Sequence, residues 1–207
     1  MMTSGVMIDQ LRVGGLETNC WIVPLARDFS APAGGAERPL RGECILIDPG
    51  DNGAQILARL DKLLLQPRYV AITHAHFDHV TALPEIAAAY PGAEIAIHRL
   101  EAAQLGSQSL PAASVLLDDG DKLGPFQILH LPGHSPGSIA LYWPEEKVLF
   151  SGDTLFDGDV GRSDLPGGSE TALAQSLRRL FTLDGDIQVY PGHGPLTTIG
   201  REKGRHL

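Results

Sequence analysis

Three histidines and one aspartate fall within six residues of this sequence, in the segment HAHFDH that spans residues 74–79. Imidazole nitrogens and carboxylate oxygens are ligands that zinc accepts, and iron and manganese accept them too. The segment follows an apolar run, Tyr69 to Thr73, that is typical of a β-strand. A sharp turn leaving that strand can direct His74 and His76 towards one ion and Asp78 and His79 towards a second. The alternative interpretation is a solvated polar turn in which Asp78 caps a helix.

Three further candidate ligands each follow an apolar, strand-like segment. His134 lies in a turn rich in glycine and proline, Asp153 follows the run Val148 to Gly152, and His193 lies in a Pro-Gly-His-Gly turn. Each of them alone is explained as an ordinary turn residue. Their shared position at strand ends indicates one common site, because loops at strand ends build sites on a rigid sheet.

Counting these donors predicts a site for two metal ions, in which each ion has three ligands of its own and the ions share one carboxylate. The predicted ligands of the first ion are His74, His76 and His134. Those of the second ion are Asp78, His79 and His193. The shared carboxylate is that of Asp153. Each ion then keeps an open position for solvent, which is typical of a catalytic rather than a structural site. The expected cofactors are two zinc ions per chain, with iron or manganese as alternatives.

The chemistry expected of such a site is hydrolysis. Two cations that flank one water lower its pKa towards neutrality, so a hydroxide that bridges them is the expected nucleophile. The same ions polarise a carbonyl group and stabilise its oxyanion. We therefore expect Asp78 and Asp153 to serve catalysis as well as metal binding. A serine nucleophile is not needed, and Ser135 and Ser138 are interpreted as turn-forming hydroxyls.

The elements that must position these ligands are predicted from apolar periodicity and turn residues. Short strands appear in both halves of the chain with helices between them, which indicates helices flanking two sheets. The predicted strands are Val6 to Val13, Thr18 to Pro24, Cys44 to Asp48, Tyr69 to Thr73, Glu94 to His98, Phe126 to Leu131, Ser138 to Trp143, Lys147 to Ser151 and Ile187 to Tyr190.

Three helices and one long loop are predicted between the strands. The helices are Asn52 to Leu65, a short one from Pro84 to near Tyr90, and Ser169 to Leu183. Asp51 or Asn52 is the expected N-cap of the first helix, and Ser169 that of the last. The segment Ala26 to Gly42 is rich in proline and glycine and is predicted to be an exposed loop.

Length and composition limit the possible classes of protein. A chain of 207 residues with 43% hydrophobic residues can bury one sizeable core, so a single domain over residues 1–207 is expected. The formal charge of −9 argues against binding to nucleic acid. A leader pattern and a long apolar run are both missing, so we expect a cytoplasmic protein without a membrane partner. Cys20 and Cys44 lie in apolar runs and are expected to be buried reduced thiols.

The remaining histidines are not expected to bind metal; they are His98, His130 and His206. His130 is a candidate to orient a metal-binding side chain through a hydrogen bond. Arg162 and Asp164 lie on a glycine-rich loop. A local salt bridge between them is the first interpretation, and substrate binding by Arg162 is the second.

As an ordered set, the motifs His-x-His-x-Asp-His, Gly-His-Ser-Pro-Gly-Ser, Ser-Gly-Asp-Thr-Leu-Phe and Pro-Gly-His-Gly resemble the metallo-β-lactamase superfamily. The segments Thr18 to Trp21 and Leu46 to Gly50 support the resemblance, which extends over most of the chain. It implies an α/β fold, the four-layer αββα sandwich, with the metals at one edge of the two sheets. It also implies metal-binding roles for the seven candidate ligands.

Within that superfamily the chain looks most like the glyoxalase II group, the hydroxyacylglutathione hydrolases, and especially its short bacterial members with a Gly-Arg-Ser-Asp-Leu-Pro loop. This implies a small-molecule partner, S-lactoylglutathione or a related acyl-glutathione, whose thioester is hydrolysed. Other relatives of this fold hold a single iron through residues matching His74, His134 and Asp153, so a persulfide dioxygenase acting on glutathione persulfide is the alternative.

Two further classes remain as weaker alternatives, a non-catalytic metal-binding scaffold and an RNA-cleaving enzyme. The complete set of seven ligands argues against the first. The acidic balance of the chain argues against the second.

Overall fold

The computed structural model describes residues 6–25 and 41–206, and these form two six-stranded sheets with helices beside them. Most of the predicted loop from Ala26 to Gly42 lies outside the described residues. The first sheet contains β1 Asp9–Val13, β2 Thr18–Pro24, β3 Gly42–Ile47, β4 Leu65–Ile72, β5 Glu94–His98 and β6 Val115–Leu117. The second contains β7 Lys122–Leu123, β8 Phe126–His130, β9 Ile139–Trp143, β10 Val148–Gly152, β11 Gln188–Pro191 and β12 Thr197–Thr198.

Six α-helices accompany these strands within the described part of the chain. They are α1 Gly53–Leu63, α2 Phe77–Val80, α3 Leu83–Ala89, α4 Ala102–Ser107, α5 Glu170–Leu180 and α6 Ile199–His206. The three predicted helices correspond to α1, α3 and α5. The structure adds the single turn α2 inside the HAHFDH segment, and it adds α4 and α6.

The two predicted helix caps have different outcomes. Ser169 is the N-cap of α5, and its hydroxyl accepts a hydrogen bond from the backbone N–H of Ala172, as predicted. Asn52 precedes α1, but its side chain does not cap the helix. Its backbone is left-handed, with a φ of 52°, and its Oδ1 instead accepts a hydrogen bond from the N–H of Gly14. Asn52 therefore occupies the predicted N-cap position, but without the side-chain hydrogen bond by which asparagine usually caps a helix.

Strand direction brings the ends of several strands to one edge of the structure. In the first sheet, β3, β4, β5 and β6 are parallel neighbours. In the second, β8 and β10 are each antiparallel to β9, and β11 is parallel to β10, so β8, β10 and β11 run in one direction. Residues that follow parallel strands lie at the same edge of a sheet.

Three apolar layers hold the sheets and helices together. Alternate residues of a strand face opposite sides of its sheet, so one strand contributes to two layers. In β2, Trp21 belongs to the layer between the sheets, together with Phe126 and Phe150 of the second sheet, whereas Ile22 packs with the α1 side of the first sheet. A third layer packs α5 and α6 against the second sheet. Four layers of secondary structure around three apolar layers are the αββα arrangement that was predicted.

Cys20 and Cys44 are buried free thiols, as predicted. None of the helices in the described ranges is both long enough and apolar enough to cross a membrane.

Candidate metal centre

Each of the seven predicted ligands lies in a loop that follows a strand or in the single helical turn α2. His74 and His76 lie between β4 and α2, and Asp78 and His79 lie in α2. The remaining three follow the parallel-running strands of the second sheet. They are His134 after β8, Asp153 after β10 and His193 after β11. The structure brings all seven together where the two sheets meet.

The first predicted set of three histidines forms one compact group. The Nε2 atom of His134 lies 3.2 Å from Nε2 of His74 and 2.9 Å from Nδ1 of His76. These nitrogens belong to a group that could hold one metal ion. A tetrahedral zinc ion with bonds of about 2.0 Å separates its nitrogen ligands by roughly 3.3 Å, so the observed spacing fits one shared ion.

The second predicted set forms a neighbouring group. Oδ2 of Asp78 lies 3.2 Å from Nε2 of His193 and 3.5 Å from Nε2 of His79. Asp153 lies between the two groups, because its Oδ2 is 3.6 Å from Nε2 of His134 and 3.5 Å from Nε2 of His193. Its carboxylate therefore lies within reach of both donor groups, and it would be shared if each group held an ion.

Four of the histidine rings are oriented by a hydrogen bond on the side away from the cluster. The Nδ1–H groups of His134 and His193 donate to the carbonyl oxygens of Arg162 and Leu16, at 2.8 and 3.1 Å. The Nδ1–H of His74 donates to the hydroxyl of Thr73. The fourth, that of His79, donates to the carboxylate of Asp48. Metal-binding histidines are held in this way, with the free Nε2 lone pair directed towards the ion.

Two buried atoms of the cluster have no hydrogen-bond partner among the described residues, Nε2 of His79 and Oδ1 of Asp153. A buried polar atom without a partner is unfavourable by about 1–3 kcal/mol. Both atoms belong to one candidate donor group with His74. A cation at this position would satisfy both, so the residues present fit a metal centre.

The electrostatic environment favours the protonation states that metal binding needs. Burial, followed by the neighbouring histidines, lowers the pKa of His74 and of His76. Burial acts to raise the pKa of Asp153 and of Asp78, but the surrounding histidines outweigh it and both pKa values are lowered. Two neutral rings and two ionised carboxylates are therefore available as ligands.

His79 differs from His74 and His76 in the direction of its pKa shift. Burial acts to lower the pKa of His79, but Asp153 and Asp48 outweigh burial and raise it. The same two carboxylates that stabilise a proton on His79 would stabilise a cation at its Nε2 atom. A cation bound there would take the place of that proton.

Asp48 and Thr18 hold ligand residues in place, although neither was predicted to do so. Asp48 follows β3, at the same edge as the ligands, and it holds both Thr73 and His79. The hydroxyl of Thr18 donates to Asp78 at 2.9 Å. In the sequence, the signals for Asp48 are its position at the end of an apolar strand and its place in the Leu46 to Gly50 segment that supports the family resemblance.

The other histidines lie outside the cluster, and the candidate donor groups found in the described residues include none of them. The rings of His98 and His130 stack with 4.1 Å between their centroids. His130 donates to the carbonyl of Pro136, so it contacts the His134 turn and not a ligand side chain. His206 stacks on Phe181.

A cleft of about 480 Å³ opens over the cluster, with His76, Asp78, His134, Asp153 and His193 in its wall. Its other lining includes Leu16, Phe77, Gln104, Arg162, Leu165 and Pro166. Leu16 and Phe77 are exposed apolar side chains. Arg162 forms the predicted salt bridge with Asp164, with 2.7 Å between Nε and Oδ1.

Comparison with known proteins is consistent with this geometry. The model of the metallo-beta-lactamase superfamily matches residues 40–193. The probable metallo-hydrolase YqgX of Bacillus subtilis is 35% identical over 179 residues, which cover 78% of this chain and 84% of that protein. The hydroxyacylglutathione hydrolase GloC of Haemophilus influenzae is 37% identical over 177 residues, which cover 76% of this chain and 83% of that protein.

Two solved structures show the same fold. The BLEG-1 B3 metallo-beta-lactamase superposes with a TM-score of 0.81 at 32% identity, over 96% of this chain and 97% of that one. A protein crystallised in a di-iron-bound form superposes with a TM-score of 0.77 at 37% identity, over 94% of this chain and 96% of that one. Fold, donor arrangement and sequence agree, and the chain belongs to the metallo-β-lactamase superfamily of metallo-hydrolases.

Proposed function

We propose that this chain hydrolyses acyl-glutathione thioesters, with S-lactoylglutathione as the first candidate, and that the seven clustered residues bind two metal ions for this reaction. The observation that carries the proposal is the set of four oriented histidines, each of which directs its Nε2 atom into the donor cluster beneath an open cleft. The similarity to a hydroxyacylglutathione hydrolase supports the choice of substrate.

The ions supply Lewis acidity and lower the pKa of a water molecule when they are bound. The protein provides the fixed geometry for that chemistry. Asp153 is ionised and nearly buried between the two donor groups, and His134 and His193 are locked by backbone carbonyl oxygens. The ligands therefore need little reorganisation during the reaction.

The chain needs no dedicated acid for the leaving group. A thiol has a pKa of about 8.5, so glutathione can depart as a thiolate near neutral pH. This property favours a thioester over an amide or an alkyl ester as the substrate.

The cleft offers complementary surfaces for such a substrate. Arg162 supplies a cation at the rim, and both it and its partner Asp164 are more than half exposed. A pair this exposed is weak, so the guanidinium can turn to a carboxylate of glutathione. Phe77 and Leu16 supply an apolar surface beside the donor cluster.

The test is release of glutathione thiol from S-lactoylglutathione and other acyl-glutathiones by protein loaded with zinc, iron or manganese. The control is the Asp153→Asn variant under the same loading. Activity that depends on metal and on Asp153 supports the proposal. Protein that carries two ions but releases no thiol from any acyl-glutathione would refute it.

The same panel should include a β-lactam and glutathione persulfide. A structural neighbour is a B3 metallo-beta-lactamase, so β-lactam hydrolysis in place of thiol release would assign a different hydrolase activity. One iron per chain, with oxygen consumption on glutathione persulfide, would support the dioxygenase alternative.

A further inference from the structure

Glu101 is a buried carboxylate outside the donor cluster, with 1% of its surface exposed. It lies at the start of α4 and accepts three hydrogen bonds from two different loops. Its Oε2 accepts from the N–H of Ala75 at 3.1 Å. Its Oε1 accepts from the N–H of Gly137 at 2.7 Å and from the hydroxyl of Ser135 at 2.8 Å.

Those two loops carry the three histidines of the first donor group. Ala75 lies between His74 and His76, and Ser135 follows His134 directly. The loops come from different sheets, since one follows β4 and the other follows β8. The carboxylate of Glu101 therefore spans the gap across which the three imidazole nitrogens must converge.

The same element holds Ala75 from its other side. Gln104 and Gln108 both donate side-chain hydrogen bonds to the carbonyl oxygen of Ala75, at 3.1 and 2.8 Å. The N–H and the C=O of the residue between the two histidines are thus both bound to residues 101–108. This segment fixes the position of the loop relative to the His134 turn.

The second donor group is held by other residues. Asp48 binds His79, Thr18 binds Asp78, and the carbonyl of Leu16 binds His193. The hydrogen bonds of Glu101 go to Ala75, Ser135 and Gly137. Disturbing Glu101 should therefore affect one donor group more than the other.

We propose that Glu101 is the positioning residue of the first metal site, and that it sets the affinity of that site by fixing the distance between His134 and the pair His74 and His76. The proposal rests on the assignment of the donor groups as metal sites. It names a role in metal affinity and in the relative occupancy of the two sites, beyond the hydrolytic reaction itself.

Glu101→Gln is the informative substitution because it keeps the size of the side chain. A carboxylate can accept on both oxygens, whereas an amide accepts on one side and donates on the other. The amide can satisfy Ala75 or the Ser135 and Gly137 pair, but it must place an N–H group against an N–H donor on the other side. The link between the two loops is then broken without leaving a cavity.

A control carboxylate is available in α6. Glu202 is also fully buried, and it accepts hydrogen bonds from the N–H of Gly158 and the hydroxyl of Thr197. Glu202→Gln makes the same chemical change and contacts none of the first donor group, although Glu202 also accepts from Nη1 of Arg205 at 2.9 Å. It measures the general effect of losing a buried carboxylate.

The experiment measures zinc affinity and stoichiometry for metal-free wild-type, Glu101→Gln and Glu202→Gln protein by competition with a chelator, together with thermal unfolding of the metal-free forms. We expect Glu101→Gln to weaken one of the two sites by about 10- to 100-fold, as supporting residues do in other metal sites. The second site should stay within a few-fold of wild type, as should both sites of Glu202→Gln.

Equal affinities at both sites in Glu101→Gln and wild type would overturn the proposal, as would an equal loss at both sites. If wild-type protein binds no metal, the metal assignment itself fails, which is a separate result. If Glu101→Gln does not fold, Ser135→Ala removes only the hydroxyl donor to Glu101. That variant should weaken the same single site to a smaller extent, and unchanged affinities would reject the role of Glu101.

Discussion

The carboxylate of Asp48 accepts a hydrogen bond from His79, with 2.9 Å between Oδ2 and Nδ1. Neither side chain is exposed by more than 1%. The same carboxylate accepts hydrogen bonds from the backbone N–H and the hydroxyl of Thr73, at 2.8 and 2.7 Å. The Thr73 hydroxyl in turn accepts from Nδ1 of His74. One buried carboxylate therefore orients a histidine of each donor group, directly in one case and through a hydroxyl in the other.

Replacing Asp48 with asparagine should weaken metal binding at both sites. Asp48 has a positive φ of 51°, and asparagine tolerates this backbone, so the substitution tests the carboxylate and not the turn. We expect metal affinity to fall about 10- to 100-fold, with the larger loss at the site that contains His79. Calorimetric zinc titration of the metal-free protein measures the change.

Asp61→Asn is the control for this prediction, because Asp61 is a largely exposed carboxylate paired with Arg41. It should bind zinc as the wild type does. Unchanged affinity in Asp48→Asn would show that the buried carboxylate does not govern ligand orientation.

Much of the fold was predictable because its longer strands carry strong patterns. The bounds of β2 and β5 agree with the prediction, and the cap of α5 was identified from Ser169 alone. The strands β7 and β12 have two residues each, which is too short for any periodicity to appear. The helix α6 follows β12 without a loop and was missed for lack of a start signal.

The candidate ligands were predictable because histidine and aspartate cluster at strand ends, and four of the seven lie within six residues. The residues that hold them were not predictable in the same way. Glu101 and Asp48 are single carboxylates, and their partners lie 25 to 36 positions away in the sequence. Only the folded chain shows that they meet the ligand loops.

Gly192→Ala should disrupt the metal centre because the added methyl group would clash with its side chains. A Cβ atom at this position would lie 2.2 Å from Oδ1 of Asp153 and 2.9 Å from Cε1 of His79. Both atoms belong to the candidate centre, so the added methyl group must displace the shared carboxylate. We expect metal content to fall below two ions per chain and thiol release to drop at least tenfold, with overpacking that destabilises the fold by about 1–3 kcal/mol.

Gly92→Ala provides the comparison, since a Cβ there would meet nothing within 4 Å. Metal content and activity should stay at the wild-type level in that variant. Full metal content in Gly192→Ala would contradict the close approach of the His193 turn to Asp153.

Cys44 should react very slowly with thiol reagents in the folded protein. Burial raises the pKa of this thiol to about 12, and burial is also the largest cause of the raised pKa of Cys20. At pH 8 a thiol of this kind has on the order of a thousandfold less thiolate than an exposed cysteine. Ellman's reagent should count two thiols in guanidinium chloride and almost none in the native state. Rapid labelling of native protein would disprove the burial of these side chains.

Arg162→Gln should change substrate binding more than turnover. The guanidinium lies at the rim of the cleft and not in the donor cluster, so its contact with a carboxylate of glutathione would be similar in the ground and transition states. A solvent-exposed ion pair is weak, so KM should rise by no more than roughly fivefold at nearly constant kcat. Arg68→Gln removes a similarly exposed guanidinium, paired with Glu43 away from the cleft, and should leave KM unchanged. A KM that is equal in Arg162→Gln and wild type would remove Arg162 from the substrate site.

Removal of metal should lower the unfolding temperature, because the fold brings two ionised carboxylates and several imidazole nitrogens within a few ångströms of one another. Without a cation, buried atoms such as Nε2 of His79 lack a partner. Ligand binding at a thousandfold excess over Kd stabilises a folded state by about 4 kcal/mol per site, which corresponds to roughly 8–16 °C for a chain of this size. Calorimetric scans with zinc and with a chelator measure this shift, and His193→Ala should shrink it because one site has lost a ligand. A chelator that strips the metal but leaves the unfolding temperature unchanged would mean that the cluster is equally stable without ions, and it would contradict the metal centre proposed for these seven residues.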